Sequence, residues 1–100
     1  MTRYVIFGRP GCPYCVQSRS ALGQHGLSYE FRDLGAAEHH QELLRRCAST
    51  PGAPRAPTTV PQIFLRYPNE VPGGRPTYVY VGGSEQLLAS LGGWGPTGYP

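Results

Sequence analysis

One hundred residues, 39% of them hydrophobic and without an internal repeat, are enough for one modest core and too few for two. The net charge of +3 comes from nine scattered arginines against six acids, with no basic run or interleaved aromatic stripe, which argues against nucleic-acid binding. No apolar run approaches the ~20 residues that cross a membrane, the amino terminus lacks a signal-peptide pattern, and three cysteines fit a reducing compartment, so no membrane association and a cytoplasmic location are expected.

Tyr4-Val5-Ile6-Phe7 is a short apolar, partly β-branched run of strand length, ended by the turn residues Gly8-Arg9-Pro10-Gly11. From Cys12 the chain reads as a helix to Gly23 or Gly26, with Pro13 at the first helical position, where its missing N–H is no loss. Cys12 therefore stands at a helix N-terminus, where free backbone N–H groups and the positive end of the helix dipole favour a thiolate. Arg9 adds a nearby positive charge. Cys15 follows three residues later, on the same face and one turn deeper. This asymmetry makes Cys12 the expected nucleophile on a substrate disulfide and Cys15 the thiol that resolves the mixed disulfide.

A C-x-x-C pair has two other uses. It can be half a zinc site, with Cys47 and His39 or His40 as further ligands, but the chain has no second C-x-x-C and no spaced histidine pair, so no metal is expected. A purely structural disulfide three residues long would constrain little of the unfolded chain.

Ser28 to Leu34 alternates as a strand, and its separation from the first strand by one helix predicts a parallel βαβ unit. A second helix is expected over Ala36 to Ala48, with Leu43, Leu44 and Cys47 facing the core and His39 and His40 exposed. The proline-rich run from Ser49 to Pro57 follows as a surface loop near the dithiol. Gln62 to Tyr67 and Thr77 to Val81 read as two more strands joined by an extended loop over 68–76. Ser84 is expected to cap a last helix through Leu91, with Leu87, Leu88 and Leu91 on its core side. The domain is thus expected over 1–91, with a Gly/Pro-rich tail over 92–100 that carries Trp94 and Tyr99. Every arginine except Arg9 and Arg55 is expected to be plain solvated surface.

Gly8-Arg9-Pro10-Gly11-Cys12-Pro13-Tyr14-Cys15-Val16, followed in order by Thr59-Val60-Pro61-Gln62-Ile63-Phe64 and by Gly82-Gly83, resembles the small dithiol glutaredoxins of bacteria over most of residues 2–91. Each motif alone is a modest signal; together in this order they are specific. The resemblance implies a thioredoxin-like α/β fold, a four-stranded mixed sheet of order 2-1-3-4 flanked by three helices, and a cis peptide before Pro61. It implies glutathione as co-substrate and reduction of protein disulfides and glutathione mixed disulfides by a monomer, with ribonucleotide reductase among the family's targets. The residues matching the family's glutathione site are Arg9, Tyr14, Thr59, Val60, Pro61, Gly83 and Ser84. Many relatives carry an aspartate shortly after the paired glycines, where this chain has Ser84-Glu85-Gln86, so weaker affinity for glutathione is expected. Two other readings stay open. One is an electron donor reduced by thioredoxin reductase. The other is an iron–sulfur carrier holding a cluster between protomers through the first cysteine and glutathione; Pro13 and a resolving Cys15 weigh against it.

Overall fold

β1 (Arg3–Gly8), α1 (Pro13–Gln24), β2 (Tyr29–Asp33), α2 (Ala37–Ser49), β3 (Gln62–Tyr67), β4 (Thr77–Gly82) and α3 (Ser84–Ser90) follow one another in the computed structural model, which describes residues 2–69 and 72–92. The strands form one sheet of order β2-β1-β3-β4. β1 runs parallel to β2 and antiparallel to β3, and β4 runs antiparallel to β3.

The hydrophobic run of β1 occupies the middle of this sheet because both its faces are covered, as a continuous apolar strand requires. Its side chains alternate between two layers. Val5 and Phe7 join Leu34, Leu43, Cys47 and Phe64 under α2, whereas Ile6 joins Leu22, Ile63 and Leu87 under α1 and α3. Phe64 is wedged edge-on between Phe7 and Tyr80, with ring centroids 5.8 and 5.3 Å away. The result is the three-layer, four-stranded mixed sheet with three helices that the motifs implied.

Several details differ from the sequence reading. Leu44 is 40% exposed, while Leu43 and Cys47 are each 3% exposed. Residues 43 and 47 lie one helical turn apart on a single stripe, and residue 44 is rotated ~100° off it. His39 is half-buried rather than exposed, with its Nδ1 2.8 Å from the Asp33 carbonyl oxygen. That oxygen can only accept, so Nδ1 carries the proton.

The arginines are not plain solvated surface either. Arg3 and Arg32 both hold Glu30, at 2.6 and 2.5 Å, and Arg32 also reaches Glu42 at 3.3 Å. The hydrogen bond from Arg3, against the opposing effect of partial burial and with further help from Arg32, keeps the Glu30 carboxyl below the usual glutamate range. Arg19 lies 4.6 Å over the Phe31 ring and Arg46 lies 4.3 Å over Tyr78. These stems cover the outer strands, β2 and β4, whose side chains would otherwise meet water.

Gly83, not Ser84, is the N-cap of α3, and Ser84 is a buried first-turn residue whose side chain makes no capping bond. The proposed tail residues Trp94 and Tyr99, and Glu70 and Val71 of the expected 68–76 loop, lie outside the described residues.

Candidate active site

β1 stops at Gly8, and the chain turns through Arg9–Cys12, where the Cys12 N–H donates to the Arg9 carbonyl at 3.2 Å. Cys12 keeps an extended backbone, φ −77° and ψ 123°, so it is the N-cap of α1, with Pro13 behind it in the first turn. Its sulfur takes the place of the usual capping oxygen, accepting from the Cys15 N–H at 3.4 Å. Partial burial works against ionisation of Cys12. Hydrogen bonds from the Cys15 thiol and from the backbone N–H groups of Cys15 and Tyr14 outweigh it, and its pKa falls below the ordinary thiol value.

Cys15 is in the opposite situation. It is 0% exposed and stays a thiol, its pKa pushed up to about 11, chiefly by burial. The Arg9 N–H donates to its sulfur at 3.5 Å. Gly8 makes room for that sulfur: a Cβ on residue 8 would sit 2.5 Å from it. A polarised series therefore runs from the Arg9 N–H to the Cys15 sulfur and from the Cys15 thiol to the Cys12 sulfur. The guanidinium of Arg9, expected to favour the thiolate, is not among the influences on Cys12; Arg9 is an exposed residue that meets the dithiol through its backbone.

Opposite the dithiol stands the turn before β3. The Val60–Pro61 peptide is cis, and the Val60 carbonyl oxygen lies 4.0 Å from the Cys12 sulfur, accepting from the thiol. Tyr14, Thr59, Val60, Pro61, Gly83 and Ser84 line one groove beside Cys12 together with Glu85 and Gln86. Six of the seven residues matched to a glutathione site therefore share one surface, with Arg9 outside that lining. The proline-rich run after α2 does not contribute to it. Ala53 of that run packs instead against the core under α2, and the groove begins at Thr59.

Gly82 has φ +122°, a conformation that glycine adopts without the strain a side chain would bring. This lets β4 turn directly into α3. Gln86 is engaged: its Oε1 accepts from the Gly83 N–H at 2.9 Å, half of a capping box. Its signal in the sequence is a glutamine three residues after Gly83, which the neighbouring Ser84, itself a good capping residue, masks. Gln86→Ala frees the Gly83 N–H and is expected to cost about 1 kcal/mol. That is a melting-point fall of about 4–8 °C for a domain of this size, read by calorimetry.

Cys47 sits in the other layer, buried among Phe7, Leu43 and Phe64, and burial raises its pKa. Among the described residues no group of three or more His, Cys, Asp or Glu comes together at a possible metal site. No helix among them is long and apolar enough to cross a membrane.

Comparison with known proteins leads to the same place as this geometry. Residues 4–66 match the family profile described as Glutaredoxin. The chain is 36% identical over 66 residues to a glutaredoxin of Haemophilus influenzae, covering 61% of this chain and 70% of that protein. Identity to glutaredoxin 1 of Escherichia coli is also 36% over 66 residues, covering 61% of this chain and 72% of the relative. It is 34% identical over 82 residues to a hybrid peroxiredoxin of Haemophilus influenzae, covering 82% of this chain but only 26%, about a quarter, of that longer protein. Among solved structures, reduced Escherichia coli glutaredoxin superposes with a TM-score of 0.55 at 29% identity, over 89% of this chain and 92% of the other. Glutaredoxin 1 of Francisella tularensis, at 22% identity, shares the fold with a TM-score of 0.59 over 90% of this chain and 92% of its own. A thiol pair at the start of α1 opposite a cis proline, on this sheet and with these relatives, means that the chain belongs to the glutaredoxin family.

Proposed function

We propose that this protein is a glutathione-dependent thiol–disulfide oxidoreductase that reduces protein disulfides and glutathione mixed disulfides. The observation that carries the reading is the asymmetry of the dithiol: one sulfur accessible and favoured as thiolate, the other buried and held as thiol.

The thiolate of Cys12 attacks one sulfur of the substrate disulfide, the S–S bond breaks, and the released thiolate takes up a proton. In the dithiol route Cys15 then loses its proton and attacks the Cys12 sulfur of the mixed disulfide. A Cys12–Cys15 disulfide forms and the second substrate thiol leaves. Two glutathione molecules reduce that disulfide and are oxidised to glutathione disulfide. In the monothiol route, the thiolate of glutathione attacks the glutathione sulfur of a Cys12–glutathione mixed disulfide, so that glutathione disulfide forms and the Cys12 thiolate leaves.

The groove supports glutathione as the partner. The main chain of Val60 beside Cys12 offers an extended tripeptide β-type hydrogen bonds without requiring one side chain. Tyr14, Thr59, Pro61, Gly83 and Ser84 form its walls, and the exposed Arg9 carries a cation for a carboxylate. Gln86 is neutral and engaged with Gly83, so the tripeptide's amino group has Glu85 as the one acid of the groove lining. With this reading goes the proposal of a monomer acting on disulfide-bearing or glutathionylated proteins, ribonucleotide reductase among them as the family resemblance suggests, and of a cytoplasmic location, since a dithiol reductant must be returned to its reduced state.

The test is NADPH oxidation with 2-hydroxyethyl disulfide, comparing glutathione plus glutathione reductase with thioredoxin reductase alone. Turnover with the glutathione system is expected. Turnover only with thioredoxin reductase would retain the dithiol and overturn the glutathione groove.

A further inference from the structure

Beneath the groove lies a polar contact that the exchange chemistry leaves unexplained. Gln62, the first residue of β3, is 3% exposed, an unusual place for an amide side chain. Its Nε2 donates twice to a single residue, to the Thr59 carbonyl at 3.0 Å and to the Thr59 hydroxyl at 3.2 Å. Its Oε1 accepts from the Tyr80 hydroxyl at 2.6 Å. The orientation of the amide follows from its partners, since the Thr59 carbonyl can only accept. Both N–H donors and the carbonyl oxygen are thus used, and the whole group is satisfied in the interior.

The contact spans the cis turn. Thr59 and Gln62 flank Val60 and Pro61, so the amide ties the two ends of the segment that faces Cys12. It is held from three sides. The main chain of Gln62 is in register with Phe7 of β1, the strand that delivers the dithiol. Phe64, two residues on and on the same face, packs against the Tyr80 ring at 5.3 Å. In the pairing of β3 with β4 Phe64 stands opposite Tyr80, from where the hydroxyl reaches diagonally to Gln62, and one step further the register shifts so that Ile63 faces Gly82.

We propose that Gln62, locked by the Tyr80 hydroxyl, is a positioning residue that holds the Thr59–Val60–Pro61 turn ready for the substrate and so sets the affinity for the disulfide rather than the reactivity of the thiol. This rests on the reading of the groove as the substrate site. A turn already ordered loses less conformational freedom when an extended substrate pairs with Val60. A buried amide deprived of its Tyr80 donor is free to rotate away from Thr59.

The experiment uses the full chain, with a glutathionylated peptide as substrate and glutathione as reductant. Tyr80→Phe keeps the ring against Phe64 and removes only the hydroxyl, and Gln62→Met keeps the length of the side chain and removes the amide. Each is expected to raise KM for the peptide about 3- to 10-fold while kcat and the pH profile of Cys12 alkylation by iodoacetamide stay as in the wild type. The double variant is expected to match Gln62→Met alone, because the hydroxyl acts only through the amide. Folding of every variant is checked by circular dichroism, and Tyr80→Phe keeps the test decisive if Gln62→Met does not fold. Unchanged KM in Tyr80→Phe overturns the proposal, as does a shifted alkylation profile, which would put the effect on the thiol. A wild-type protein that does not turn over the peptide at all overturns the reading of the groove and the proposal with it. Active wild type with indifferent variants overturns the proposal alone.

Discussion

Cys12→Ser is expected to lower disulfide exchange by more than about 1,000-fold, the scale on which loss of a nucleophile is felt, whereas Cys15→Ser keeps turnover of glutathione mixed disulfides within about tenfold and loses reduction of protein disulfides. The difference follows from the two environments. Cys12 caps α1, and donors from Cys15 and Tyr14 turned on its sulfur lower its pKa against the effect of burial. A serine there is a hydroxyl that does not ionise near neutral pH and has no sulfur to form the mixed disulfide. Cys15 is buried and its pKa of about 11 keeps it protonated, so it attacks only once a mixed disulfide at Cys12 has formed beside it. Alkylation reads the same asymmetry. The rate at Cys12 should reach half its maximum at a lower pH than that of an unperturbed thiol, because a lowered pKa moves the thiolate population to lower pH. Cys15→Ala removes one donor to the Cys12 sulfur and should shift that profile upward. Equal loss of activity in the Cys12 and Cys15 variants, or an alkylation midpoint at or above the unperturbed value, would contradict the assigned roles.

Much of this site was legible because its signals are local. Tyr4 to Phe7, the glycine turn and Pro13 mark a strand, a stop and a helix start within thirteen residues, and they put Cys12 at the cap without reference to the rest of the chain. The parallel βαβ unit follows from the spacing of the same elements. The cis bond at Pro61 came from the family resemblance, since nothing in Thr59-Val60-Pro61 distinguishes it from an ordinary turn. What escaped the reading depends on contacts between distant segments. The Tyr80–Gln62 bond joins residues 18 apart on two strands, and it exists only because β3 and β4 pair with Phe64 opposite Tyr80. Arg19 and Arg46 read as surface charges because the Phe31 and Tyr78 rings they cover belong to other elements. At α3 the error was one residue of frame: a serine after a glycine resembles a cap, and the side chain that does cap, Gln86, reaches backward from the first turn.

Gly8→Ala should be a strongly damaging small substitution. Gly8 is buried at the end of β1, and its φ is not positive, so alanine meets no backbone penalty there. The obstacle is the resolving sulfur, which a Cβ would approach to 2.5 Å, with the Phe31 ring 3.5 Å away on another side. That sulfur has little freedom to retreat, since Cys15 is fully buried on α1 and its sulfur receives the Arg9 N–H at 3.5 Å. Overpacking of this kind costs about 1–3 kcal/mol. The melting temperature should fall by about 4–8 °C for each of those kcal/mol. Displacement of Cys15 should also slow the resolving step, so that reduction of a protein disulfide suffers more than monothiol turnover of a glutathione mixed disulfide. The steric cause can be isolated with a second background. In Cys15→Ala the sulfur is gone, and adding Gly8→Ala should then leave the melting temperature nearly unchanged, a non-additivity that only direct contact between the two positions produces. An equal penalty in both backgrounds would place the cost in the backbone of β1 and remove Gly8 from the account of how the resolving thiol is held.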